Sequence, residues 1–232
     1  MWRGIEIFEK SGCGAGFYGV ERANEPLHVQ FSDFDRAISV VNHGLVPSGK
    51  LVAHALIADR AGKPLYRQSQ PAQVGPQSSR DAWTLPQFPD TTFLELTLTQ
   101  GPRTVSRNFY WLSAKPDVLD TKAGNWFYTP ESSAADFSAL AHLAPARVRS
   151  RASFTRHGGE GSATVYITNE GPGVALLVRL RITRGQGGAE VLPVEWQDNY
   201  ISLMPGESRV VRVQYRLQDV EPAVPTLAVD GW

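Results

Sequence analysis

From Leu27 onward, apolar residues recur at every second position in short runs cut by glycine, proline and aspartate, a period that suits half-buried β-strands. Leu27, Val29 and Phe31 alternate with His28, Gln30 and Ser32. Leu94, Leu96 and Leu98 alternate with Glu95, Thr97 and Thr99. Ile38 and Val40, the apolar run from Lys50 to Ala58, and Val105 to Leu112 complete a first set. Turn residues at Asp33 to Asp35, Pro47-Ser48-Gly49, Asp59 to Gly62, Gln73 to Ser79 and Gln100 to Pro102 divide it into about seven strands, the number an immunoglobulin-like sandwich requires. A second set follows: Val148 to Phe154, Val165 and Ile167, Leu176 to Ile182, and Val211 to Leu217. Gly158-Gly159, Gly171-Pro172-Gly173 and Gly187-Gly188 supply hairpin and bulge positions there. Ahead of Val211, Pro205-Gly206 reads as the turn of a further hairpin, because proline presets φ and glycine accepts positive φ.

At 232 residues the chain holds one large or two ordinary domains, and each half has the apolar residues for its own core. The formal charge is zero, so bulk electrostatics gives no reason to invoke nucleic acid or an acidic membrane. The single cysteine, Cys13, rules out an intrachain disulfide and a zinc site built on cysteines. No apolar run has bilayer length, and the opening Trp2-Arg3-Gly4 lacks the pattern of an export signal.

Two stretches break the strand rhythm. Residues 1–26 hold a short apolar piece (Ile5, Ile7, Phe8), a glycine-rich stretch (Gly12, Gly14, Gly16, Gly19) and a helix-compatible run through Val20 to Ala23 that Pro26 stops. Residues 114–145 hold Pro116, Pro130 and Pro145, the aromatic cluster Trp126, Phe127 and Tyr128, and a short helix predicted over Ala134 to Leu143 with Ser132 or Ser133 as its cap.

Four segments, in order, carry a family resemblance. Tyr18 to Gln30 and then Ser106 to Ser113 come first; Trp126 to Pro130 with Ala135-Asp136-Phe137 follows. The last is Asp198-Asn199-Tyr200 with Leu203 to Arg209 and the terminal Val229-Asp230-Gly231-Trp232. Together they resemble the C-terminal region of family 2 glycoside hydrolases, in the branch of exo-β-D-glucosaminidases and β-mannosidase-like enzymes. The resemblance implies an all-β chain with two immunoglobulin-like β-sandwich domains in series, 27–113 and 146–232, joined by a linker at 114–145. Residues 1–26 would then be the remnant of a catalytic (β/α)8 barrel. It also implies a secreted or periplasmic parent enzyme, with the barrel and upstream domains as partners and chitosan-type or β-mannoside-type carbohydrate as substrate. Such enzymes use two carboxylates about 5–5.5 Å apart. No glutamate here lies in a segment matching those catalytic motifs, so no catalytic residue carries over, and the isolated chain is expected to be a non-catalytic accessory region. No cofactor or metal ligand is implied.

Other motifs point elsewhere. Gly14 to Gly19 satisfies a dinucleotide fingerprint with Asp33 near the ribose distance, but Pro26 ends the helix too early for a βαβ crossover, which leaves the glycines as a loop before a helix. Histidines 28, 43, 54, 142 and 157 lack metal or catalytic spacing, and the G-x-S-x-G nucleophile elbow is absent. Arginines 147, 149, 151, 179, 181, 212 and 216 fall on the polar side of three predicted strands, as a solvated face or a basic docking face. Trp126, Phe127 and Tyr128, on a non-strand segment, are the candidate carbohydrate-stacking residues, since pyranose C–H faces pack on flat rings. A free-standing carbohydrate-binding or adhesive module is the rival reading.

Overall fold

The computed structural model describes residues 14–231. Helix α1 (Ala15–Ala23) is followed by strands β1 (Leu27–Phe31), β2 (Ala37–Asn42), β3 (Leu51–Ala58), β4 (Pro64–Ala72), β5 (Ser78–Thr84), β6 (Thr92–Gln100) and β7 (Arg103–Leu112). A short ladder of β8 (Val118–Leu119) and β9 (Glu131–Ser133) precedes β10 (Val148–His157), β11 (Glu160–Asn169), β12 (Ala175–Arg184), β13 (Val194–Trp196), β14 (Ile201–Leu203), β15 (Ser208–Arg216) and β16 (Pro225–Asp230). The chain divides into two compact units: residues 22–143, and a second that gathers the described residues up to Glu21 with those from Ala144 onward.

The first unit contains a seven-stranded immunoglobulin-like sandwich of two sheets, β1-β2-β5 and β4-β3-β6-β7, every ladder antiparallel. Between them pack Val29, Ile38, Val40, Ala53, Ile57, Leu94, Leu96 and Leu98, each essentially without solvent contact. Burying one such aliphatic side chain contributes about 1.5–3 kcal/mol. Strands β4 and β5 escape the sequence reading because neither is wrapped in core. Most of β4 is exposed or half-buried, as an edge strand that tolerates Pro71 can be, and the Gln73 to Ser79 turn ends where β5 has already begun.

The second unit repeats the plan with β10-β11-β15-β13 facing β14-β12-β16. Gly158-Gly159 closes the β10–β11 hairpin, with His157 opposite Glu160 and Gly158 at φ 59°. The hairpin expected at Pro205-Gly206 is corrected. β14 pairs with β12, whereas β15 pairs with β11 and β13, so this turn carries the chain from one sheet to the other. Gly206 does take positive φ, at 77°, and the turn is tied by Glu207 N–H to the Met204 carbonyl and Met204 N–H to the Glu207 carboxylate, both at 3.0 Å.

One device recurs in both sandwiches. Asn42 at the end of β2 donates its side-chain amide to the Val46 and Gly75 carbonyls (2.8 and 2.9 Å), while its oxygen accepts the Gly44 N–H at 2.9 Å. Asn169 at the end of β11 donates to Gly173 and Leu203 (2.8 and 3.1 Å) and accepts from Gly171 at 3.0 Å. Both asparagines are buried. Each is followed two residues later by a glycine whose Cβ would crowd that same side-chain oxygen, so both loops read Asn-x-Gly.

Each sandwich also buries one tyrosine hydroxyl. Tyr110 accepts the Phe31 N–H at 3.2 Å, and burial, with Asp33 adding, pushes its ionisation above the ordinary phenol range. Tyr215 is pushed up by burial as well, with Arg156 pulling the other way, and its hydroxyl has no hydrogen-bond partner among the described residues.

Further sequence expectations are revised. The helix predicted over Ala134 to Leu143 is a single 3₁₀ turn, Ser138–His142, whose first N–H is met by Asp136; Ser132 and Ser133 lie in β9 instead. Gly16 and Gly19, expected in a loop, lie inside α1. His28 and His43, which lack metal or catalytic spacing in sequence, come together with ring centroids 5.5 Å apart. Ile5, Ile7 and Phe8 lie outside the described residues.

Candidate functional site

The sequence candidates Trp126, Phe127 and Tyr128 sit at the tip of the β8–β9 excursion. Asp120 N–H bonds the Pro130 carbonyl at 2.8 Å, and its carboxylate accepts from the Lys122 and Ala123 N–H groups, which turns the chain outward. Asn125 then caps the apex: its side-chain oxygen accepts the Phe127 and Tyr128 N–H groups at 2.9 and 3.1 Å. Asparagine suits that task because its short amide imitates a backbone turn. The three rings are 86%, 79% and 65% exposed, and Trp126 and Phe127 lie 3.8 Å apart between centroids, tilted by 39°. Aromatic rings held outward at a hydrogen-bonded turn, rather than folded into a core, make a surface that a flat apolar face can meet.

The arginines divide between two sheets. Arg149, Arg151, Arg212 and Arg216 occupy the four-stranded sheet, whereas Arg179 and Arg181 occupy the other. Several are neutralised: Arg149 by Glu170 at 2.8 Å, Arg179 by Glu190 at 2.7 Å, Arg181 by Asp230 at 2.6 Å and Arg216 by Asp219 at 2.8 Å. Across β10, β11 and β15 an open groove of about 390 Å³ is lined by Arg149, Arg151, Tyr166, Thr168, Ser208 and Val210. The Arg151 guanidinium lies over the Tyr166 ring at 4.3 Å, so this arginine is partly satisfied within the sheet. Tyr166 was not singled out in sequence, where its outward place on β11 looks like any other polar-face residue.

The Asp198-Asn199-Tyr200 segment is a side-chain-built turn. Ile201 pairs with Val178, and two residues on, where the backbone ladder stops, the buried Asn199 amide takes over: it accepts the Leu180 N–H at 2.8 Å and donates to the Leu180 carbonyl at 2.9 Å. Asp198 is paired with Arg209 at 3.3 Å. Tyr200 is left at φ 50°, a left-handed conformation that costs a residue with a Cβ roughly 1–2 kcal/mol.

Among the described residues, no group of three or more His, Cys, Asp and Glu is placed to hold a metal ion, and no helix is long and apolar enough to cross a membrane.

These features define an immunoglobulin-like β-sandwich protein carrying an exposed aromatic turn. Residues 126–232 match the family model of the exo-β-D-glucosaminidase Ig-fold domain. The exo-β-D-glucosaminidase of Streptomyces avermitilis is 38% identical across 94% of this chain, which spans 25% of that relative. That of Amycolatopsis orientalis is 34% identical across 93% of the chain, which spans 22% of it. The crystal structure of the Amycolatopsis orientalis exo-chitosanase CsxA superposes with a TM-score of 0.90 at 32% identity, covering 97% of this chain and 27% of that one. The chain thus corresponds to about a quarter of larger glycosidases.

Proposed function

We propose that this chain is the non-catalytic C-terminal accessory region of a family 2 exo-β-D-glucosaminidase-like glycoside hydrolase, bracing the catalytic barrel that hydrolyses chitosan-type or β-mannoside-type carbohydrate. The observation that carries the reading is the superposition over 97% of this chain on 27% of an exo-chitosanase, with one domain family covering residues 126–232. Complementation tests it. The Streptomyces avermitilis relative, truncated to remove the quarter that this chain matches, is assayed on an aryl β-D-glucosaminide with and without this chain. The expected result is no turnover by this chain, little by the truncated relative, and recovery on mixing. Turnover by this chain that survives repurification, or full activity and stability of the truncated relative alone, overturns it.

The exposed Trp126 and Phe127 favour a second role, a stacking platform for oligo- or polysaccharide, which also serves a free-standing carbohydrate-binding module. Chitosan or mannan oligomers should then shift tryptophan fluorescence, and Trp126→Ala should abolish the shift with the melting temperature unchanged. A shift that persists in Trp126→Ala places the contact elsewhere.

A further inference from the structure

Tyr200 is strained, and the turn around it is over-determined: Asn199 is fixed on β12 and Asp198 on Arg209. Glycine or asparagine accepts positive φ more readily, so a tyrosine here calls for a use of its ring. The ring has one. It lies 6.2 Å from the ring of Tyr18, tilted by 39°. Tyr18 comes from α1, about 180 residues earlier in the sequence, yet it is 3% exposed and belongs to the hydrophobic core of the second sandwich with Trp196, Ile201 and Leu203. The described part of the segment before Leu27 thus docks on the second sandwich through Tyr18.

α1 has little means of standing alone. It is nine residues long and includes Gly16 and Gly19, neither of which has a close neighbour that would exclude a side chain. A helix this short is marginal in water, and interior glycines weaken it further. Tyr18 ties it to the core of the second sandwich. On its other sides Phe17 and Val20 remain exposed.

We propose that the Asp198-Asn199-Tyr200 turn is a socket whose occupant is α1, clasped through Tyr18, and that this clasp joins the second sandwich to the polypeptide that precedes α1. The second half rests on the accessory-region reading above, in which that polypeptide is the catalytic barrel and Phe17 and Val20 face it. The socket itself does not depend on that reading.

Hydrogen exchange on the full chain tests the clasp. In the wild type, amides of residues 15–23 are protected. Tyr200→Gly suits the backbone better than tyrosine but removes the ring, and Tyr18→Ala removes the partner. Each should speed exchange of residues 15–23 by at least about tenfold while β12 and β15 exchange as in the wild type. Tyr200→Phe should keep the protection. Unprotected residues 15–23 in the wild type, unchanged protection in both ring-removing variants, or faster exchange spread evenly over the second sandwich, would each overturn the socket. None of these readouts uses activity, so a failed complementation assay and a failed clasp are separate results.

Discussion

The two sandwiches share a plan and differ in self-sufficiency. Both face four strands against three, and both plug the end of one strand with a buried asparagine in an Asn-x-Gly loop, Asn42 in the first and Asn169 in the second. The first fills its core from the contiguous residues 27–112, whereas the second takes Tyr18 from far upstream and strains Tyr200 to receive it. Common architecture is thus carried by local devices that each sequence segment encodes for itself. The difference lies in one long-range contact grafted onto the second copy.

The largest expected effect tests the shared part. Asn42→Ala and Asn169→Ala each remove a buried side-chain amide that bonds loop carbonyls and a glycine N–H, and each should destabilise its own sandwich by about 3 kcal/mol in urea unfolding read by hydrogen exchange. A loss confined to one of the two would break the equivalence. Next, Gly161→Ala should cost about 2 kcal/mol in the second sandwich alone, because a methyl there runs into the Tyr215 ring on the neighbouring strand. An unchanged melt would show that Tyr215 moves aside freely.

The buried tyrosines should respond in opposite directions. Tyr110→Phe removes the acceptor of the Phe31 N–H and should cost about 1 kcal/mol, whereas Tyr215→Phe removes an unpartnered hydroxyl and should be neutral or slightly stabilising. Their ionisation sharpens the contrast. A hydroxyl raised above its unfolded value contributes stability that is complete below about pH 10 and lost as pH rises through the folded value. Both sandwiches should weaken in alkali. In each, burial of the phenol is the main cause, opposed by the Phe31 N–H at Tyr110 and by Arg156 at Tyr215. Equal alkaline loss in Tyr110→Phe and wild type would remove that assignment. The smallest effect belongs to Trp126→Ala, expected to leave stability within about 0.5 kcal/mol, as for an exposed turn residue; a larger loss would make the aromatic tip a packing element.

Strands with one face in the core were legible in sequence, since alternation in β6, β12 and β15 follows directly from burial of every second residue. Edge strands β4 and β5 were not, because an exposed ladder leaves no hydrophobic period. Local turn chemistry at Pro205-Gly206 was read correctly as a turn and wrongly as a hairpin: φ preferences decide how the chain bends, not which strand it meets afterwards. At the candidate tip, the position of Trp126 to Tyr128 outside any strand was visible, but their outward orientation depends on Asp120 and Asn125, whose turn-forming bonds only coordinates reveal. Tyr18 and Tyr200 could not have been joined from sequence, since no period links residues so distant.

That distance sets an order of events during synthesis. α1 leaves the ribosome ahead of both sandwiches, and about 180 further residues must be added before Tyr200 exists, roughly ten to forty seconds at ordinary rates of translation. The first sandwich, complete once Leu112 has emerged, has time to fold in that interval, as β-sandwiches do within milliseconds to seconds. The Tyr18 contact therefore closes late, which makes the ordering of α1 a sign that the second sandwich has been made as far as Tyr200.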